Sequence, residues 1–339
     1  MKRNASVPRP EDLNCLVDLH LHLDGALSPA SVRALAAAQD VPVPADENEL
    51  LSLIRVGKDC RSLNDFLTKF AFPCSLLQTA GALTAAVRTL LCELKAQGVM
   101  YAEIRFAPQL STDKGLTQSE VVEAAVAGLK DAAIPAQLIL CCMRGADETA
   151  NRETVLTARR YLGKGVCALD IAGAEALYPL DGYEALFGLA RRLRVPFTID
   201  AGEAAGPDSV RKALALGARR IGHGVRAGED PALLKSLARR RTPLEMCPTS
   251  NLCTCVLSDL ADYPLRAYME AGLCVTVNTD DPSIEGTTLR EEYRALIDRL
   301  GLTRGEVTRL LHNAVRASFA PLGLKVKMHK RIRETMRTM

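Results

Sequence analysis

Short apolar runs rich in β-branched residues recur along the whole chain. Eight of them span residues 16–23, 100–108, 136–143, 166–173, 196–203, 220–225, 243–251 and 273–282. Their cores are continuously apolar rather than alternating, which is typical of parallel strands that are covered on both faces. Helical patterns lie between most of the runs, and a glycine often follows the helical pattern. About eight strands that alternate with helices predict a (β/α)8 barrel, for which about 250 residues plus insertions are typical.

The remaining segments fit a barrel better than the main alternative, an open doubly wound sheet. No GxGxxG motif follows the first predicted strand, as the dinucleotide-binding form of that fold requires. The stretch 28–99 is too long for one crossover and predicts a helical insertion that covers the barrel mouth. Helical patterns resume at 287, and the basic tail from 327 predicts a solvated helix face. Because no repeat or flexible linker is evident, residues 1–339 are predicted to form one domain.

Composition narrows the class of protein. The chain has 339 residues, of which 48% are hydrophobic and 24% charged, as in an ordinary globular protein. A net charge of +3 gives no electrostatic reason to expect nucleic acid or membrane as a partner. No apolar run approaches the roughly 20 residues that span a bilayer. The 11 cysteines are odd in number and include no CxxC pair, so we expect neither a disulfide framework nor a cysteine zinc site. A reduced cytoplasmic protein is predicted.

The predicted strand ends are unusually polar. They carry His20, His22, Asp24, Asp200, Glu203, His223, Asp280 and Asp281. Catalytic groups of barrels sit at these ends, and residues two apart in a strand share a face, so His20 and His22 can both project into the mouth. Each piece alone has an ordinary explanation, such as a core histidine or a turn before Pro282. Two imidazoles plus carboxylates from several strands predict a divalent-metal site and a metal-assisted hydrolase.

Longer motifs surround these residues. They read HLHLDGAL (20–27), NDFLTKF (64–70), GVMYAEIRFAPQ (98–109), DIAGAE (170–175), AGEAAGP (201–207), RIGHG (220–224), EMCPTSN (245–251) and NTDDP (278–282). In this order and spacing they resemble the adenosine deaminase family of the amidohydrolase superfamily. The resemblance covers about residues 15–320. It implies hydrolytic deamination of adenosine, and of 2′-deoxyadenosine, to inosine and ammonia in purine salvage.

The resemblance also implies roles for single residues. Zinc would be held by His20, His22, Asp280 and a residue at the end of the fifth strand, and would activate water by lowering its pKa. Glu203 would protonate N1 of the purine, and His223 would orient the attacking water. The substrate-binding residues would be Asp281 at N7, the N–H of Gly173 at N3, Asp24 at the ribose 5′-hydroxyl, and Phe66 and Phe70 in an apolar gate with Leu63 and Leu67.

Two alternatives are left open by these assignments. Adenine deaminases of the superfamily usually carry Glu where this chain has Asp24, and the shorter side chain leaves room for a sugar; another aminopurine, such as adenine, is the competing substrate. Phe66 and Phe70 lie on one helical face, so simple packing of the inserted helices also explains them. The other zinc deaminase class, with HxE and PCxxC motifs, does not match the chain.

The chain departs from the family at the fifth strand. The family motif is HAGE, whose histidine is a metal ligand, but residues 200–203 read DAGE. Asp200 gives a site of two histidines and two aspartates, and a second carboxylate weakens Lewis acidity and favours Mn2+ or Fe2+ more than usual. The chain is then an active enzyme with altered metal preference, a slow deaminase, or a metal-free nucleoside binder. A smaller departure is Gly145 after Arg144, where relatives often carry histidine.

Overall fold

The computed structural model describes residues 8–57 and 60–339. Its strands are β1 (Leu16–His22), β2 (Val99–Phe106), β3 (Ala136–Met143), β4 (Val166–Ala172), β5 (Thr198–Ala201), β6 (Arg220–His223), β7 (Pro243–Met246) and β8 (Cys274–Val277). Its helices are α1 (Pro29–Ala37), α2 (Glu47–Ile54), α3 (Leu63–Leu67), α4 (Ala71–Ser75), α5 (Ala80–Ala96), α6 (Gln118–Gly128), α7 (Glu148–Tyr161), α8 (Glu184–Arg192), α9 (Pro207–Leu216), α10 (Pro231–Arg240), α11 (Pro248–Cys253), α12 (Leu265–Glu270), α13 (Pro282–Glu285), α14 (Leu289–Leu300), α15 (Arg304–Ala317) and α16 (Leu322–Thr338).

The strands form a closed parallel barrel, as predicted. They pair in sequence order as two four-stranded parallel sheets, β1 to β4 and β5 to β8. A parallel bridge between Leu169 and Phe197 joins β4 to β5, and another between Leu21 and Asp280 joins β1 to the end of β8. Both seams carry backbone hydrogen bonds, including His22 N to Asp280 O at 2.8 Å. The second seam brings the ends of the first and last strands into contact.

Burial explains why these segments are strands. The apolar side chains of the strands belong almost entirely to one large buried cluster, covered outside by helices. Some predicted strands are longer than the observed ones. The apolar run 196–203 contains only four strand residues, Thr198–Ala201. Beyond Ala201 the backbone turns out of the sheet at Gly202, whose φ is +74°. Glu203 therefore lies in the loop that follows β5.

In its described residues, 28–57 and 60–99, the segment predicted as an insertion contains five α-helices and the 3₁₀ helix Thr68–Phe70. The last of them, α5, packs against α6 and β2 and belongs to the outer helical layer. The short helices α3 and α4 approach the carboxyl ends of the strands, where Phe66 and Phe70 line a cavity. Ser62 caps α3 by accepting a hydrogen bond from Asp65 N.

The basic tail forms α16, which is amphipathic. Met328, Ile332 and Met336 are buried against the rest of the molecule, while the Lys and Arg side chains on the other face are mostly exposed. The prediction of a solvated basic face is confirmed. Within 8–57 and 60–339, no single helix has the length and apolar character needed to cross a membrane; the bent pair Leu63–Ser75 and Ala80–Ala96 passes on length and composition alone.

Candidate active site

β1 ends in two histidines, of which His20 is fully buried. Its Nδ1 lies 3.0 Å from Oε2 of Glu245 on β7, and its Nε2 lies 3.0 Å from Oδ1 of Asp280. Despite this short distance, Nε2 makes no contact with hydrogen-bond geometry among the described residues. Burial opposes a charge on the ring, but Asp280 and Asp200 raise the pKa of His20 well above its usual value. This position therefore stabilises a cation next to Nε2, whether a proton or a metal ion.

His22 lies two residues further along the same strand and lines the cavity. Its Nε2 is 3.5 Å from Oδ1 of Asp280, and its ring centroid is 5.6 Å from that of His20. Burial lowers the pKa of His22 to about 3. The ring is therefore neutral at neutral pH, which is the form of imidazole that binds metals.

Asp280 follows β8 and contacts three histidines, His20 and His22 on β1 and His223 on β6. Its backbone has φ of +67°, and its N–H donates to His20 O at 2.8 Å. Oδ2 accepts from the hydroxyl of Ser250 at 2.8 Å and lies 3.6 Å from Nε2 of His223 on β6. Burial alone would raise its pKa, but the surrounding histidines, His20 first, hold the pKa of Asp280 well below its usual value. Asp280 is therefore a carboxylate.

Asp200, the residue that departs from the family, points towards the same place. Its Oδ1 is 3.8 Å from Nε2 of His20 and 3.3 Å from Nη1 of Arg105. Burial and the charge of Asp170 raise the pKa of Asp200 to about 7, against the pull of His20 and Arg105. Gly222 leaves the space for this carboxylate, because a Cβ at that position would overlap Oδ1 of Asp200. Asp200 is thus within reach of a metal, yet it is shared with an arginine.

Arg105 is a fully buried guanidinium on β2 inside the barrel. It donates to Asp170 Oδ2 and Glu245 Oε2, each at 2.6 Å, and to Leu19 O at 2.9 Å. Glu245 in turn accepts from His20, so the arginine fixes the carboxylate that orients the histidine. Such an outer partner fixes the ring orientation of a ligand and tunes its basicity.

His223 and Glu203 face Asp280 from the other side. Nδ1 of His223 lies 3.3 Å from Nδ2 of Asn251, whose Oδ1 accepts from Tyr263 at 3.1 Å. Because an amide nitrogen only donates, Nδ1 is the acceptor and Nε2 carries the hydrogen. Burial lowers the pKa of His223, so the ring is neutral. Its Nε2 lies 3.6 Å from Oε2 of Glu203.

Glu203 has the properties of a buried acid. It is 6% exposed, and its Oε1 has no hydrogen-bond partner in the described structure. Burial, with the charges of Asp280 and Glu175, raises the pKa of Glu203 to about 8. The side chain therefore carries a proton near neutral pH.

Glu175 holds the loop that carries Glu203. Its two oxygens accept from the backbone N–H groups of Gly202 at 2.8 Å, Glu203 at 3.1 Å and Ala205 at 2.8 Å, and from the hydroxyl of Ser209. Four donors on one buried carboxylate fix the backbone of this turn. The position of Glu203 is therefore set by the β4–α8 loop as well as by its own strand.

A cavity of about 240 Å³ lies above these groups. Its polar wall includes the predicted substrate-binding residues Asp24, Gly173 and Asp281. Its apolar wall includes Leu63, Phe66, Leu67 and Phe70, and the two phenyl rings have centroids 6.0 Å apart. Burial and the charges of Asp280 and Asp24 raise the pKa of Asp281 well above its usual value. The structure thus gathers every predicted site residue at one end of the barrel.

Nitrogen and oxygen donors suited to a metal ion converge at this end of the barrel. His20, Asp200 and His223 each offer a ligand atom, and the three atoms lie within 4.8 Å of one another; His20, Cys247 and Asp280 form another such group. His22 belongs to neither group, but its Nε2 lies 3.5 Å from Oδ1 of Asp280. Imidazole nitrogen beside carboxylate oxygen, with the buried Nε2 of His20 unpartnered, fits a divalent transition metal.

Several residues of the site escaped sequence analysis. Glu245, Arg105, Glu175, Asn251 and Ser250 were parts of recognised motifs but had no assigned role. A charged residue within a continuously apolar strand, as in AEIRF around Arg105, was the available signal.

At the loop after β3, Gly145 N donates to Tyr183 Oη at 2.8 Å, and the Tyr178 ring lies where a Cβ of residue 145 would be.

A parallel barrel with histidines and carboxylates converging at its carboxyl end defines an enzyme of the amidohydrolase superfamily. The sequence profile of the family described as adenosine deaminase matches residues 15–335. The adenosine deaminase of Haemophilus ducreyi is 48% identical to the chain over 314 residues, which cover 90% of this chain and 91% of that protein. The chain belongs to the adenosine deaminase family, and the resemblance seen in its motifs is confirmed.

Solved structures support the same fold. The adenine deaminase from Arthrobacter aurescens has a TM-score of 0.86 and 28% identity, and the match covers 95% of this chain and 99% of that one. An amidohydrolase from Burkholderia ambifaria, solved with bound Zn, has a TM-score of 0.84 and 21% identity, and the match covers 100% of this chain and 98% of that one.

Proposed function

We propose that the chain catalyses the hydrolytic deamination of adenosine and 2′-deoxyadenosine to inosine and ammonia, in cytoplasmic purine salvage. One observation carries this proposal. A single cavity, of a size suited to a nucleoside, joins a buried acid with a raised pKa, Glu203, to the neutral His223 and to Asp24 and Asp281. A deaminase needs an acid that is protonated at neutral pH, and Glu203 meets that requirement.

The proposed ligands of one divalent metal are His20, His22, Asp280 and Asp200. When bound, such a metal supplies Lewis acidity, which makes water a competent nucleophile near neutral pH. Zinc is the first expectation, since an amidohydrolase of this fold was solved with bound Zn. The additional carboxylate of Asp200 favours harder ions, so Mn2+ and Fe2+ compete better than at a site with three histidines.

The side chains around the cavity bind the substrate, orient water and transfer a proton. Glu203 donates its proton to N1 of the purine, and His223 orients the attacking water through Nε2–H. Because N7 is an acceptor, Asp281 must donate to it, and burial beside Asp280 and Asp24 raises the pKa of this carboxyl in the direction that favours the donating, protonated form. Gly173 supplies a backbone N–H for N3, and Asp24 accepts from the sugar 5′-hydroxyl. The apolar gate residues Phe66 and Phe70 exclude water from the base.

The charge of the cavity favours nucleosides over nucleotides. Five carboxyl groups line it, those of Asp24, Asp200, Glu203, Asp280 and Asp281. Neither Lys nor Arg is among the described residues that line it. A 5′-phosphate on the sugar would lie beside the carboxyl group of Asp24, and no Lys or Arg among the described lining residues offers it a compensating charge. We therefore infer that AMP is a poor substrate.

The proposal is tested by the ultraviolet change that accompanies conversion of adenosine to inosine. Adenosine and 2′-deoxyadenosine should give higher kcat/KM than adenine, 5′-deoxyadenosine or AMP. Faster turnover of adenine would assign the chain to the competing adenine deaminase function. Failure to turn over any of the five would refute the enzymatic proposal.

The metal is tested on protein purified without chelator. We expect close to one divalent metal per chain, loss of activity after chelator treatment, and its return with Zn2+ or Mn2+. A metal content near zero, together with inosine binding that is the same before and after chelator treatment, would instead identify a metal-free nucleoside binder.

A further inference from the structure

The two carboxylate oxygens of Asp24 have different surroundings. Asp24 begins the short 3₁₀ helix Asp24–Ala26 after β1 and is 8% exposed. Its Oδ2 lies 3.4 Å from Sγ of Cys74 on α4. Its Oδ1 is buried and has no hydrogen-bond partner among the described residues. Since Asp24 lines the cavity, one oxygen is occupied by the protein and the other is left for a ligand.

Cys74 lies outside the cavity wall, and its backbone is fixed there. Nε2 of Gln78 donates to Cys74 O at 2.8 Å and also to Leu110 O at 2.8 Å, while its Oε1 accepts from Asp113 N at 3.0 Å. Gln78 is 4% exposed. This amide joins α4 to the cavity-lining segment Pro108–Ser111 and holds the thiol behind Asp24.

The direction of the thiol hydrogen bond follows from its chemistry. Burial and the charge of Asp24 raise the pKa of the Cys74 thiol, so it keeps its hydrogen at neutral pH. A carboxylate oxygen accepts, and the S–H group is a weak donor. The bond therefore runs from Sγ to Oδ2 and restricts rotation of the Asp24 side chain.

We propose that Cys74 is a positioning residue that holds Asp24 with Oδ1 presented to the 5′-hydroxyl of a bound nucleoside. The inference rests on the proposed function, in which Asp24 contacts that hydroxyl. It assigns to helix α4, which directly follows the gate residue Phe70, a part in selecting the nucleoside over the free base.

The experiment measures calorimetric binding of inosine and 5′-deoxyinosine, which are not consumed, to the protein as purified. In Cys74→Ala the Kd of inosine should rise about three- to tenfold, as for loss of one typical hydrogen bond, while that of 5′-deoxyinosine stays constant. Cys74→Ser, whose hydroxyl donates to the same oxygen, should bind inosine like the parent chain. Cys92→Ala, at an exposed cysteine on α5, is the matched control and should change neither Kd.

Each outcome bears on the proposal. An equal change for both ligands in Cys74→Ala, or no change for either, overturns it, and so does a parent chain that binds the two ligands equally. If Cys74→Ala melts too early for titration, Cys74→Val fills the space without a donor and replaces it. Selective loss of inosine binding in a chain that does not deaminate adenosine would support the positioning role and refute only the proposed reaction.

Discussion

Two site residues, His223 and Asp280, have left-handed backbone with φ of +58° and +67°. For residues other than glycine this conformation costs about 1–3 kcal/mol and persists where the surroundings enforce it. At Asp280 those surroundings are the backbone bonds to His20 and His22, each 2.8 Å long. The strained turn at the end of β8 directs the carboxylate between the histidines, so the strain serves the geometry of the site.

Glu203 is the acid of the proposed reaction. Replacing Glu203 by Gln keeps the shape and removes the proton that N1 must receive. We expect kcat for adenosine to fall by about 10²–10⁴-fold, the usual contribution of general acid catalysis. Steady-state kinetics provide the measurement, with metal content determined on the same samples.

Metal content controls for a structural effect of this substitution. Since Glu203 is not among the proposed ligands, Glu203→Gln should retain the metal of the parent chain. A variant that keeps its metal and also keeps its kcat would show that the proton comes from another group.

Asp200 stands where the family motif has a histidine ligand. Asp200→Ala should lower metal affinity at least as much as loss of an outer-shell partner, about 10–100-fold. Asp200→His should raise zinc affinity, because imidazole replaces an oxygen ligand that Arg105 shares. Competition with a chromogenic chelator measures both.

Asp200→Asn serves as the control, since it keeps the size and removes the charge. In the parent chain Arg105 also pairs with Asp170 and Glu245, each at 2.6 Å, and none of the three substitutions removes these two partners. Metal affinities that are the same in all three variants and the parent chain would mean that Asp200 is not a ligand.

At the scale of elements, the sequence predicted most of what the structure contains. The run 136–143 coincides with β3, because a continuous apolar segment between turn residues has few other ways to be buried. The prediction for the fifth run, 196–203, extended past the end of β5 at Ala201. The apolar pattern does not show that Gly202 turns the backbone out of the sheet. The partnership of Arg105 with Glu245 spans 140 residues, and only the closed barrel brings them together.

The pair His312 and His329 illustrates the same limit. Sequence analysis gave these helical residues no chemistry, yet α15 and α16 place their Nδ1 atoms 2.8 Å apart. Burial lowers the pKa of both rings, with Arg316 and Arg333 acting in the same direction. One ring donates to the other only while at least one of them is neutral.

A pH dependence of stability follows from this pair. Because the folded-state pKa values lie below the unfolded value near 6.5, the unfolded chain binds more protons as the pH falls below that value. The contribution of this pair to the free energy of unfolding should therefore decrease between about pH 7 and about pH 5. In urea unfolding across this range, the parent chain should lose stability relative to His329→Gln as the pH falls.

An identical pH slope in the parent chain and His329→Gln would contradict this assignment. Lys330→Gln, an exposed change on the same helix, is the matched control, since it removes a charge without touching the imidazole pair. Its slope should equal that of the parent chain.

On the scale of the whole molecule, buried charges cross the barrel. Arg220 on β6 binds Glu103 on β2 at 2.6 Å and also contacts Glu245 on β7, which Arg105 shares at 2.6 Å. All four side chains are at most 1% exposed. If a strand paired in another register, one of these side chains would face a neutral partner and leave an uncompensated charge in the core. The strands that carry these groups therefore have to close in one register.

Glu103 can be replaced without removing a proposed metal ligand. Glu103 also accepts from Tyr101 Oη at 2.9 Å, so Glu103→Ala strips partners from both a guanidinium and a phenol. We expect a loss of about 3–5 kcal/mol in the free energy of unfolding, measured by urea titration. Glu291→Ala, which breaks the surface pair with Arg294, should cost less than about 1 kcal/mol. Equal midpoints for the two variants would mean that the buried ions contribute no more than surface pairs, and that closure of the barrel depends on apolar packing alone.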